Sequence, residues 1–209
     1  MTLDVAAVQR ALRAEGVDAW VLYDFHGSNP IAARLAGLTG GGHMTTRRWF
    51  YVIPADGAPR GLVHAIERHN LDALPGDKVT YAGRLQFEAG LDRLLDGLRR
   101  VAMEYSPECA IPYLSRLDAG TAESLRRRGL EIVASGDLVQ RFEASWDEDQ
   151  LQSHRAASEA LYRQGEALLK LGPNFGKAAE KAFDRVVKEY PDSRRAEDAR
   201  QQLKLLGAG

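Results

Sequence analysis

Three side chains within six residues, His64, Glu67 and His69, are of the types that bind a divalent metal. Their spacing matches neither the paired histidines of a zinc-protease helix nor one face of a strand, so we read them as loop residues and expect no metal there. Ser106, Glu108 and Cys109 bring a nucleophile and an acid together, but no base lies near them in sequence and they form no triad. Cys109, between Pro107 and Pro112, is expected to be a partly buried spacer. A better surface is the Gly/His-rich pair of segments Tyr23-Asp24-Phe25-His26-Gly27-Ser28-Asn29 and Gly40-Gly41-Gly42-His43. Glycine-rich loops at strand ends let a ligand or partner approach the backbone closely. Asp24, His26, His43 and Arg47 are the candidate substrate-wall or interface residues, the alternative being ordinary turn chemistry. The glycine triplet lacks a following Lys-Ser/Thr pair, which argues against nucleotide binding.

The elements that position these residues follow from periodicity. Leu3, Val5, Val8 and Leu12 fall on one helical face that Gly16 ends. A strand over residues 17–23 follows, and Asn29-Pro30 opens a second helix to Leu35. Residues 48–53 and 61–64 read as a hairpin around Asp56-Gly57. Further strands are expected over 78–81, 100–105 and 130–133, with helices over 85–98, 118–128 and near Leu138. A hairpin followed by strand–helix–strand units makes an α/β class, a mixed sheet flanked by helices, in residues 1–144. From Ser145 onward the pattern is helical: a capping box at Ser145-Trp146-Asp147-Glu148, then helices broken at Gly172-Pro173 and Pro191. Residues 145–209 thus form a second, all-α domain.

Bulk properties narrow the function classes. The net charge of −1 divides into −4 over residues 1–150 and +3 over residues 151–209, too little to attract nucleic acid or an anionic membrane. A single cysteine excludes an intrachain disulfide and a cysteine-based zinc site. The amphipathic, charged N-terminus is not a secretory signal, no segment is apolar enough to span a bilayer, and the cytoplasm is the expected location.

Several landmarks in order resemble one family. They are Gly16-Val17-Asp18-Ala19, the turn Arg34-Leu35-Ala36-Gly37-Leu38, the hairpin from Arg47 to Pro59, and the strand Ala102-Met103-Glu104-Tyr105-Ser106. Together they resemble the N-terminal domain of creatinase/prolidase/aminopeptidase P metallopeptidases over about 155 residues. That resemblance implies a ribonuclease-H-like α/β fold that helps assemble oligomers and forms part of the active-site wall, with the Gly/His-rich edge facing the catalytic domain. It also implies chemistry by two divalent metals held by two Asp, one His and two Glu of that catalytic domain. Residues 145–209 hold one histidine, His154, and no strand pattern, so the catalytic metallopeptidase domain is expected to be absent and the chain not to be an enzyme on its own.

The tail resembles a tetratricopeptide repeat. Residues 160–172 match its first helix, with Gly165 at the small position, and residues 177–191 match its second helix and terminating proline. The alternative is a generic antiparallel helical hairpin. About three repeats are needed to bury a continuous core, so Leu161, Leu168, Phe183, Val187 and Leu203 must pack on one another, on the α/β domain or on a partner. These five are the candidate partner-docking residues.

The expected function is a non-catalytic assembly or protein-binding protein, with no cofactor, no metal, no nucleic acid and no membrane. Its partner would be a protein: a homo-oligomer, or a separate catalytic or scaffold chain. The alternatives are an accessory part completing the substrate wall of a metal-dependent Xaa-Pro peptidase in trans, and a chimeric fusion without evolved joint function.

Overall fold

The computed structural model describes residues 3–39, 42, 44–146 and 148–207. Its contacts divide the chain after Ser145 into an α/β unit and a helical unit.

The α/β unit is a six-stranded mixed sheet in the order β4-β3-β2-β1-β5-β6. Its strands are β1 (Ala19–Asp24), β2 (Trp49–Pro54), β3 (Arg60–His64), β4 (Asp77–Tyr81), β5 (Arg100–Met103) and β6 (Glu131–Ala134). Strand β2 runs antiparallel to β1 and β3, while β1–β5, β5–β6 and β3–β4 pair in parallel. The carboxyl ends of the five parallel strands therefore share one edge with the start of β2. Helices α1 (Val5–Glu15), α2 (Pro30–Leu35) and α5 (Gly136–Phe142) cover one face, and α3 (Arg84–Leu95) and α4 (Ala119–Arg127) the other.

Alternation within the strands divides the core between those faces. Trp20 and Leu22 of β1 pack with Leu12, Ile31 and Leu138, whereas Val21 and Tyr23 pack with Phe87, Leu91 and Leu125. Every residue of β1 is buried, as a central strand covered on both faces requires. Asp4 caps α1 by accepting from Ala7 N, and Gly16 closes it in the left-handed region, φ 63°, its N–H bonding Arg13 O.

The hairpin forms as the sequence predicts, with Val52 opposite Arg60. Strand β5 is shorter than expected. The chain leaves the sheet after Met103 because Glu104 O accepts from Arg116 N and Leu117 N rather than from a neighbouring strand. Cys109 is exposed, not partly buried: the chain turns through positive φ at Glu108 and Cys109, 54° and 55°, which carries the thiol outward.

The helical unit comprises α6 (Glu148–Lys170), α7 (Gly176–Glu189) and α8 (Arg194–Gly207). Of the expected capping box, Asp147 lies outside the described residues, and the Ser145 hydroxyl donates backward to Gln140 O at 3.0 Å. Among the described residues no helix is long and apolar enough to cross a membrane.

Candidate functional site

A cleft of about 780 Å³ opens at the edge where the parallel strands end, the usual ligand position in open α/β sheets. Tyr23 and Phe25 reach it from the end of β1, Arg47 and Arg48 from the approach to β2, and His64 from the end of β3. Tyr81 and the turn through Gly83 into α3 form the opposite wall, with Asp118 and Thr121 at the start of α4.

Each wall is held by a definite contact. Glu67, buried beneath the loop before β2, accepts from Thr46 N at 2.7 Å, Thr46 Oγ1 at 2.6 Å and Arg47 N at 3.2 Å. Asn70 Nδ2 donates to Met44 O at 2.7 Å and ties down the same loop. Arg48 is placed by its neighbours: Tyr81 Oη donates to its carbonyl at 2.7 Å, and its guanidinium lies 4.0 Å over the Phe87 ring. Tyr23 Oη donates to Asp118 Oδ2 at 2.9 Å and accepts from Thr121 Oγ1 at 3.1 Å. Asp118 Oδ1 also caps α4, accepting from Thr121 N at 2.8 Å.

The cleft is rich in positive charge and aromatic surface. Among the described residues no carboxylate forms an ion pair with Arg47, Arg48 or Arg84. Helix α3 begins at Gly83 without a side-chain cap, so its first-turn amides add partial positive charge. Burial pushes the Tyr23 phenol up to about 12, and the Tyr81 phenol is raised for the same reason, so both stay neutral donors. At Asp118 burial opposes ionisation, but the donors from Thr121 and Tyr23 outweigh it and hold the carboxyl below its ordinary value. Asp118 is thus a fixed negative charge in an otherwise cationic wall.

The sequence candidates divide among different tasks. Arg47 lines the cleft. Asp24 is fully buried, its carboxylate accepting from Gly27 N at 3.0 Å, Asn29 N at 2.7 Å and Ser28 Oγ at 3.4 Å. These bonds shape its own loop. His26 takes φ 59° in that loop, its ring 5.9 Å from Phe25. His43 lies outside the described residues. His64, Glu67 and His69 do not converge: His64 contacts Ala82 O and Ile66 N, Glu67 holds Thr46 and Arg47, and His69 pairs with Asp72. Among the described residues no three His, Cys, Asp or Glu are grouped to hold a metal. The residues missed by sequence reading are Arg48, Arg84, Tyr81, Phe87 and Asp118. Only the Arg47-Arg48 pair ahead of an aromatic strand gave a visible signal.

Beneath the Asp24 loop lies a buried carboxylate. Glu104 accepts from Trp20 Nε1 at 2.8 Å, Asn29 Nδ2 at 2.8 Å and Ser135 Oγ at 3.1 Å. Burial without a cationic partner raises its pKa, the three donors opposing that rise.

In the helical unit the five docking candidates share one seam. Phe183 is fully buried with Tyr162 and Val186, and Leu161, Leu168, Val187 and Leu203 pack against that cluster. As α8 folds back over the hairpin it helps to enclose Phe183, while the other four stay partly exposed. Gly165 lets α6 and α7 approach closely; a Cβ there would stand 2.6 Å from Phe183 Cε1. A groove of about 790 Å³ runs beside this seam. Its charges largely cancel, since Arg195 pairs with Glu159 and Asp198, and we place the candidate site in the α/β cleft instead.

No protein-family model matches the sequence, and the search of curated proteins finds no match. Solved structures do match. A prolidase from Thermococcus sibiricus superposes with TM-score 0.55 at 10% identity, over 89% of this chain and 49% of its own. The creatinase/prolidase N-terminal domain of an X-Pro dipeptidase from Streptococcus pyogenes gives 0.50 at 16%, over 66% of this chain and 97% of its own. The α/β unit has the creatinase/prolidase N-terminal fold. A proline dipeptidase structure from Streptococcus pneumoniae agrees, with TM-score 0.50 at 20% identity, over 68% of this chain and 96% of its own. Against the longer prolidases the chain spans about half their length.

Proposed function

We propose that this chain acts by binding: an assembly module derived from the N-terminal domain of an Xaa-Pro metallopeptidase, whose tetratricopeptide-like helical unit docks a protein partner. The observation that carries this reading is the use to which its chemistry-bearing residues are put. Asp24 and Glu67 hold loops, His69 sits in a surface pair, and Glu104 is enclosed by neutral donors. Among the described residues no Ser, Thr or Cys side chain hydrogen-bonds to a histidine, the arrangement nucleophilic catalysis uses. The fold supports descent from the peptidase domain, and the cationic mouth around Arg47 supports contact with an oppositely charged surface.

Sedimentation of the purified chain over a wide concentration range tests the assembly role. Reversible self-association weakened by Arg47→Glu is expected. A monomer at every concentration would remove the homo-oligomer. The accessory reading, in which the chain completes the substrate wall of a separate catalytic chain, then requires that catalytic half to bind it.

A further inference from the structure

A second recess adjoins the cleft. It measures about 210 Å³, lies between α3 and α4, shares Arg48, Phe87, Asp118 and Thr121 with the cleft and reaches Phe50, Leu91 and Leu125. The two parts differ in character. The outer part presents the guanidinium groups of Arg47 and Arg84, which make no ion pair among the described residues, Arg47 Nη1 donating to Thr46 O at 3.3 Å, and the uncapped start of α3. The inner part combines the buried side chains of Phe50, Phe87, Leu91 and Leu125 with Asp118, Gly120, Thr121 and Ser124, and the Arg48 guanidinium lies over Phe87. An occupant that satisfies both parts needs an anionic head and an apolar body.

We propose that this cleft and recess bind one small amphipathic carboxylate, its head among Arg47, Arg48 and Arg84 and its apolar body in the recess lined by Phe50, Leu91 and Leu125. The fork of an arginine matches a planar carboxylate, and the first-turn amides of α3 reinforce it. Asp118, in the same wall, offsets one of the three guanidinium charges and leaves the mouth net positive, which favours an anionic head. The recess selects the body: 210 Å³ accepts one ring or a short branched chain, and burying it against apolar walls supplies the driving force. This site goes beyond the assembly reading and stands without it, since its lining comes from residues of this chain's own α/β unit.

Calorimetric titration of the full chain with 3-phenylpropanoate, 3-phenylpropanamide, acetate and phenyl phosphate tests the proposal. Saturable binding of 3-phenylpropanoate is expected, with the amide and acetate each weaker by about tenfold or more. Arg84→Gln should weaken 3-phenylpropanoate by about tenfold and leave the amide unchanged. Gly120→Leu, which places a side chain at the recess wall, should abolish it while the thermal transition is retained. The proposal is overturned if no probe binds at millimolar concentration, if amide and carboxylate bind alike, if phosphate binds best, or if the folded Gly120→Leu protein binds normally.

Discussion

Glu67 Oε2 accepts from the backbone amide of Arg47 at 3.2 Å, while its other oxygen takes both the amide and the hydroxyl of Thr46. A buried carboxylate on the turn after β3 thus sets where the cationic wall of the cleft begins. Glu67→Gln turns an acceptor into a donor facing these N–H groups, and we expect a loss of about 1–3 kcal/mol in unfolding free energy. Denaturant unfolding measures it; an unchanged midpoint would mean that Glu67 does not hold the loop.

Gly165 faces Phe183 across the helical seam. Gly165→Ala places a methyl group 2.6 Å from Phe183 Cε1, and overpacking of this kind costs about 1–3 kcal/mol. Gly176→Ala, at the start of α7 with open space around it, should be neutral or stabilising. Thermal melts followed by circular dichroism compare the two. Equal melting temperatures would show that α6 and α7 pack less closely than described.

Glu104 couples the fold to pH. Its pKa is raised in the folded state, so its contribution to stability is complete below the ordinary carboxyl value and is lost as pH rises through the folded value. Asp18, Asp118 and Glu159 have lowered values and lose their contributions as pH falls. Comparison with Glu104→Gln isolates the first effect. The wild type should exceed the variant by more at acidic pH than at neutral pH, measured as the difference in unfolding free energy. A gap independent of pH would place Glu104 at an ordinary value.

Much of the fold is legible in the sequence because its elements carry clean local signals: the short apolar run of β1, the Asp56-Gly57 turn and the Gly16 and Pro191 stops each act locally. The end of β5 is not, because Glu104 O bonds to Arg116 and Leu117 across a loop. The cleft is legible through Arg47 and through Tyr23 and Phe25 of the Gly/His-rich segment. Its other walls come from β3, β4 and the starts of α3 and α4, which the topology alone brings together. Asp24 and His26 carry the residue types of a site, but three local donors turn Asp24 inward. The seam of Leu161, Leu168 and Phe183 reads as an open face from two helices; α8 folds over it so that Phe183 is enclosed while Leu161 and Leu168 stay partly exposed.

Hydrolysis of Xaa-Pro di- and tripeptides by the purified chain, with manganese, cobalt or zinc added and a chelator control, tests the binding role most directly. No metal-dependent release of the N-terminal residue above buffer is the predicted result. Chelator-sensitive turnover that co-purifies with the chain would contradict it, and His64, Glu67 and His69 would be the first side chains to substitute.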